Sequence, residues 1–150
     1  MVLFLSTYQN KVDKKGRVSV PAPFRAALSG QHFPGIVAYG SFVNPCVEAC
    51  SLERMEQMAK RIAQLDPFSD EHDALAATIL GGSVQLGFDS EGRVMLPEAM
   101  LETAGIDDTA VFIGKGETFE VWEPKKFEAY AKKAREIAHQ KRLELRGGAQ

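Results

Sequence analysis

Residues 7–23, TYQNKVDKKGRVSVPAP, decide the fold, because they return in altered form seventy-six positions later. Thr7 to Val12 is polar and β-prone. Asp13-Lys14-Lys15-Gly16-Arg17 reads as a tight turn with glycine where a positive φ is needed, and Val18-Ser19-Val20 alternates as a returning strand. Pro21 stops it. The second copy runs Gln85 to Phe88, then Asp89-Ser90-Glu91-Gly92-Arg93, Val94-Met95-Leu96 and Pro97.

The echo extends past each proline. Pro21 to Leu28 and Pro97 to Ala104 both predict a short helix with Pro at its first position and a closing glycine, Gly30 or Gly105. A β-rich run follows each, Ile36 to Tyr39 and Ala110 to Ile113, and each leads to a further strand, Cys46 to Cys50 and Thr118 to Trp122. A longer amphipathic helix ends both halves. Two copies of this length predict a pseudo-twofold α+β domain of strand–turn–strand–helix repeats, flanked by helices, whose halves complete each other's core. The expected division is 1–76 for the first copy with its helices and 77–150 for the second with the C-terminal helix, in one compact unit. A lone half would leave strand edges and a core face open.

Between the copies Ser51 predicts an N-cap. Leu52, Met55, Met58, Ile62 and Leu65 recur at helical spacing as far as Asp66-Pro67. A second helix is expected from Ser69 or Asp70 to Leu80, closed by Gly81-Gly82. The last helix starts at Pro124 with Phe127, Tyr130, Ala131, Ala134, Ile137 and Ala138 on one side, and Arg146 to Gln150 reads as a frayed tail.

At 150 residues, 45% hydrophobic and 25% charged, the chain can bury an ordinary core without staples. No apolar run approaches a membrane span, and Met1 to Leu5 lacks the basic start of a signal peptide, so the expectation is cytoplasmic, with no membrane partner. Cys46 and Cys50 would share one strand face roughly 13 Å apart, too far for a disulfide.

Enzyme chemistry finds little footing. His32, His72 and His139 are scattered, without the spacing that places a metal. The two cysteines read as small half-buried hydrophobes, Met55 and Met58 as core filling, and Trp122 as a core anchor rather than a base-stacking platform. Gly114-Lys115-Gly116 lacks the third glycine and following helix of a phosphate loop and reads as a hairpin turn. No catalytic residue, metal site or cofactor is implied.

Charge is the informative asymmetry. The chain carries a formal net charge of −2, yet Met1 to Gly30 holds Lys11, Lys14, Lys15, Arg17 and Arg25 against Asp13 alone, a net of +4. Ser83 to Ile106 holds Arg93 against Asp89, Glu91, Glu98 and Glu102, a net of −3. Two readings of the turns stand together. In the structural one, Asp13 with Arg17, and Asp89 with Arg93, fork across turns kept tight by Gly16 and Gly92. In the functional one, Lys11, Lys14, Lys15 and Arg17 crowd a β-ribbon tip of the kind that enters a DNA groove, cations on phosphates and arginine on guanine. The rival to DNA is a ring-forming assembly protein whose basic turn docks on an acidic neighbour such as the Glu98 and Glu102 face.

The repeated element, Asp13 to Arg17 and Asp89 to Arg93, each entered from a strand and left through Val-x-[Val/Leu]-Pro, closely resembles the MraZ family of bacterial transcriptional regulators, within the AbrB-like swapped-hairpin group. The likeness continues through Gly35 to Gly40, the Cys46 to Cys50 strand with its Glu48, and Phe119-Glu120-Val121-Trp122. It implies an α+β fold in which the two hairpins interleave as a swapped-hairpin (double-split βαβ) barrel. It also implies a nucleoid-associated regulator that closes into a homo-oligomeric ring and binds short direct repeats of double-stranded DNA upstream of the division and cell-wall gene cluster, with Arg17 central to the contact.

Overall fold

The computed structural model describes residues 2–149. Strand β1 (Thr7–Lys11) and β2 (Arg17–Ser19) flank the first turn, followed by α1 (Ala22–Ala27), β3 (Gly35–Gly40), β4 (Val47–Cys50) and α2 (Leu52–Ala63). Helix α3 (Asp70–Leu75) continues as a π-helical stretch, Ala76–Leu80, into the second copy. That copy repeats the order as β5 (Val84–Gly87), β6 (Arg93–Met95), α4 (Glu98–Ala104), β7 (Thr109–Gly114), β8 (Phe119–Trp122) and α5 (Pro124–Gln140).

The fold is α+β, and its strands pair mainly across the copies. The six-stranded antiparallel sheet has the order β1-β7-β8-β4-β3-β5, and β2 pairs with β6 in a separate two-stranded ladder. The two turns do not close ordinary hairpins: β1 and β2 share only the Val12–Val18 bridge, while Arg17 faces Met95, Val18 faces Val94 and Ser19 faces Arg93. The ladder leaves no donor idle at its ends, since Val20 N–H reaches Gly92 O at 3.2 Å and Leu96 N–H reaches Gly16 O at 2.9 Å. Among the described residues the strands form this open sheet and ribbon and no closed barrel. The ribbon nonetheless joins the sheet's two edges, because β2 continues from edge strand β1 and β6 from edge strand β5.

Alternation on the strands sends one set of side chains inward. Val12, Val18, Val20, Val94 and Leu96 from the ribbon meet Ile36, Ala38, Val47, Ala49, Ala110 and Val121 from the sheet in one core. At its centre Phe24 of α1 packs on Phe119 at 4.9 Å and on Phe4 at 5.2 Å between ring centroids, joining both copies. Each such ring contributes about 1.5–3 kcal/mol by burial. The sheet's other face is covered by Met55 and Ile62 of α2 with Ile79, over Val37, Tyr39 and Cys50, and by Phe127 and Tyr130 of α5 over Cys46, Val111 and Trp122.

Several expectations shift. Pro21 and Pro97 sit at the N-cap positions rather than inside the helices, and Gly105 closes α4 at φ 71° whereas Gly30 does not cap α1, which ends on Leu28. Ser51 caps α2 by accepting Arg54 N–H, but the helix stops at Ala63, before Leu65. The tail from Arg146 is not frayed: a 3-10 helix runs from Arg142 to Ala149, and Gln150, like Met1, lies outside the described residues. Phe4, in a segment considered only as a leader, is fully buried and bridges Gly116. No described helix is long and apolar enough to cross a membrane.

Candidate nucleic-acid interface

Both turns are organised by their aspartate. Asp13 O accepts Gly16 N–H at 3.0 Å, Asp13 Oδ1 accepts Lys15 N–H at 3.0 Å and Arg17 N–H at 2.9 Å, and Oδ2 accepts Arg17 Nε–H at 2.7 Å. In the second turn Asp89 O accepts Gly92 N–H at 3.0 Å, Oδ1 accepts Glu91 N–H at 2.9 Å and Arg93 N–H at 3.0 Å, and Oδ2 accepts Arg93 Nε–H at 2.9 Å. The backbone amides of Arg17 and Arg93 are the chief reason that both carboxyls are held below the ordinary carboxylate range. Gly16 and Gly92 take φ values of 85° and 76°, which side chains rarely adopt.

What differs is the charge left over. Arg93 also donates from Nη2 to Glu91 at 2.9 Å, so one cation faces two carboxylates; its own pKa is raised, first by the hydrogen bond to Asp89. Glu91 corresponds to Lys15 in the first turn. Lys11, Lys14 and Lys15 are exposed, and among the described residues their side chains make no ion pair or hydrogen bond; Arg17 engages only its Nε. The first tip is therefore strongly positive and the second carries a small net negative charge.

Each turn is braced by the other copy's helix. The Arg25 guanidinium of α1 lies over Gly92, with its Nε donating to Val20 O at 3.0 Å, and Leu101 of α4, the counterpart of Arg25, lies against Gly16. Reading each copy alone gives no sign of this exchange. On the ribbon Val18 and Val94 point inward, so Arg17, Ser19, Arg93 and Met95 share the outward face; Met95 is 53% exposed. Asn10 Nδ2 donates to Ser19 O at 2.7 Å and ties β1 to this surface. Internal register marks Met95 and Ser19 as equivalent positions, a signal the sequence held.

His32, His72 and His139 stay apart, and among the described residues no group of three His, Cys, Asp or Glu side chains could hold a metal. Gly114 to Gly116 is the β7–β8 turn, with Lys115 paired to the buried Glu120 at 3.0 Å and donating to Tyr130 Oη at 2.6 Å. Trp122 is buried and donates from Nε1 to Glu120 at 2.9 Å.

A duplicated α+β chain, its copies cross-paired through a ribbon with one cationic and one neutralised turn, defines the class of protein. The family model described as "MraZ protein, putative antitoxin-like" matches residues 3–76 and 79–147, and the chain belongs to this family. Relatives carrying the name transcriptional regulator MraZ include those of Rickettsia canadensis, 51% identical over 146 residues, and Rickettsia bellii, 50% identical over 147 residues. In each case the alignment covers 97% of this chain and 98% of the relative.

Proposed function

We propose that this chain is a non-enzymatic, sequence-specific DNA-binding transcriptional regulator, a repressor acting on the promoter of a division and cell-wall gene cluster that includes its own operon. The observation that carries the reading is the pair of turns with one geometry and different charge: three lysines around Arg17 are unpaired, while Arg93 is neutralised. Cations so placed take phosphates, and an arginine with free terminal nitrogens on an outward ribbon face suits a guanine edge. The protein acts in the cytoplasm on the nucleoid, where a closed homo-oligomer presents several ribbons to direct repeats of double-stranded DNA and gains avidity from modest single contacts. The basic first copy and acidic second copy suit the head-to-tail contacts that such a closed assembly needs.

Residues 1–76 and 77–150 form one folding unit with the hairpins swapped between halves, a reading supported by the β2–β6 ladder and the mixed core. Expressed separately, neither half gives a cooperative monomeric melt; a half that does so refutes the swap. The functional test is fluorescence anisotropy on the duplex upstream of the chain's own operon against a scrambled duplex, over a salt series. Specific binding is expected to weaken with a log–log slope of about −0.9 per phosphate contact. Equal binding of both duplexes at low salt, or none, refutes the proposal and leaves the basic turn as a dock for an acidic surface.

A further inference from the structure

Two surface features outside the ribbon stand out. Phe68, in the turn between α2 and α3, is 95% exposed. The turn is tied down: Phe68 N–H donates to Asp66 Oδ1 at 3.0 Å, Ser69 N–H and Oγ–H both donate to Asp66 O, at 2.9 and 2.7 Å, and Ser69 Oγ accepts His72 N–H at the start of α3. A rigid aromatic knob results, flanked by Asp66, Asp70 and Glu71, all exposed, with no cation between Arg61 and His72. A single exposed ring is not by itself a contact surface; what sets this one apart is the hydrogen-bonded turn that presents it and its acidic flanks, which repel anionic lipid and nucleic acid alike.

The second feature is a groove of about 470 Å³ between the β3–β4 loop and α5, lined by Asn44, Tyr130, Lys133, Ala134, Ile137 and Ala138. Beside it Phe42 and Val43 of the loop are 57% and 72% exposed. Lys133 lines the groove one turn before Ile137, Lys141 follows one turn after it as the C-cap residue of α5, and among the described residues neither lysine has an ion-pair partner. The groove thus has an apolar floor with one cation in its wall and a second at the helix end beyond it, the complement of an aromatic ring with carboxylates around it.

We infer that the Asp66–Glu71 turn of a second copy of this chain docks in this groove, Phe68 on the apolar floor and Asp70 and Glu71 against Lys133 and Lys141. This names a contact for the proposed self-assembly and rests on that reading, with a local acidic turn in 1–76 and the local cations of α5, rather than the net charge of the two copies, setting its polarity. Knob and groove are different patches, so the contact is head-to-tail and propagates from copy to copy, forming a ring where the rotation closes.

The test uses the full chain at micromolar concentration with mass from light scattering and folding from thermal melts. Wild type forms a multimer; Phe68→Glu and Ile137→Glu, both at exposed positions, each fall to a single chain with an unchanged melt. Mixed in equal amounts they form a two-chain species and nothing larger, because the intact knob of one meets the intact groove of the other and only damaged patches remain. A wild-type mass retained by both variants refutes this contact while leaving self-assembly standing. A monomeric wild type overturns self-assembly itself.

Discussion

Replacing Arg17 by Ala and Arg93 by Ala in parallel tests the division of labour between the turns. The two arginines occupy one outward ribbon face, opposite Met95 and Ser19 respectively, so position alone does not separate them. Their hydrogen bonds to aspartate are alike as well, 2.7 and 2.9 Å from Nε. Arg17, however, stands among three unpaired lysines, while Arg93 is shared between Asp89 and Glu91. On the proposed function, Arg17→Ala should remove a base-discriminating contact worth roughly 1–3 kcal/mol for each ribbon engaged. At about 1.4 kcal/mol per tenfold this is roughly a 5- to 150-fold loss of affinity for one ribbon. Preference for the operator falls with it. Residual non-specific binding survives on the lysines, and assembly is unchanged. Arg93→Ala strands two carboxylates on the second turn, so it lowers the melting temperature or the assembly mass and affects DNA only through lost avidity. Both variants are compared at equal concentration by anisotropy, light scattering and thermal melt. Equal loss of DNA binding with intact assembly in both would mean that the second turn also touches DNA, and the charge argument would fail.

Gly16→Ala forces a left-handed φ that costs about 1–2 kcal/mol, and its new Cβ would lie 2.7 Å from the Leu96 carbonyl oxygen. Gly92→Ala carries the same strain but meets only the end of the Arg25 side chain, which can swing away, so Gly16→Ala should give the larger drop in melting temperature. Because the folded pKa values of Asp13 and Asp89 lie below the ordinary 3.8, their contribution to stability is complete above that value and is lost as pH falls below it. The double variant Asp13→Asn, Asp89→Asn should flatten the acid end of a plot of melting temperature against pH. Burial pushes the Cys50 thiol up to about 12 and raises that of Cys46 for the same reason, so a thiol reagent at pH 8 should label neither in the native protein and both after denaturation.

The element order was legible in the sequence because each signal is local: the proline after each strand, Ser51 before an apolar stripe, the glycine of each tight turn. The aspartate–arginine pairing at four-residue spacing was equally readable. Strand partners were not. A strand's inward alternation fixes which side chains are buried but not which edge it joins, so Val18-Ser19-Val20 reads the same whether it returns to β1 or crosses to β6. Arg25 and Leu101 were missed for this reason, since each braces a turn seventy-six residues removed in the repeat frame. The π-helical stretch at Ala76–Leu80 had no local signal either: its residues suit an α-helix.

Cross-pairing also explains where the copies have diverged. The positions that shape the turns and the centre of the ladder remain equivalent, Asp13 and Asp89, Gly16 and Gly92, Arg17 and Arg93, Val18 and Val94, Pro21 and Pro97, while deeper core positions have changed size, Val20 against Leu96 and Leu28 against Ala104. Because β2 pairs directly with β6, a change of size at Val18 is felt at Val94, and neither can drift alone. Outward positions carry no such coupling, and there the copies differ: Lys14 against Ser90, Lys15 against Glu91, Ser19 against Met95. Arg25 against Leu101 belongs with them, since each rests on the turn of the opposite copy and so adapts to that turn's charge and not to its own. One frame therefore holds two turns rigid with the same hydrogen bonds while leaving the charge of each free to change, and only the first retains cations without partners.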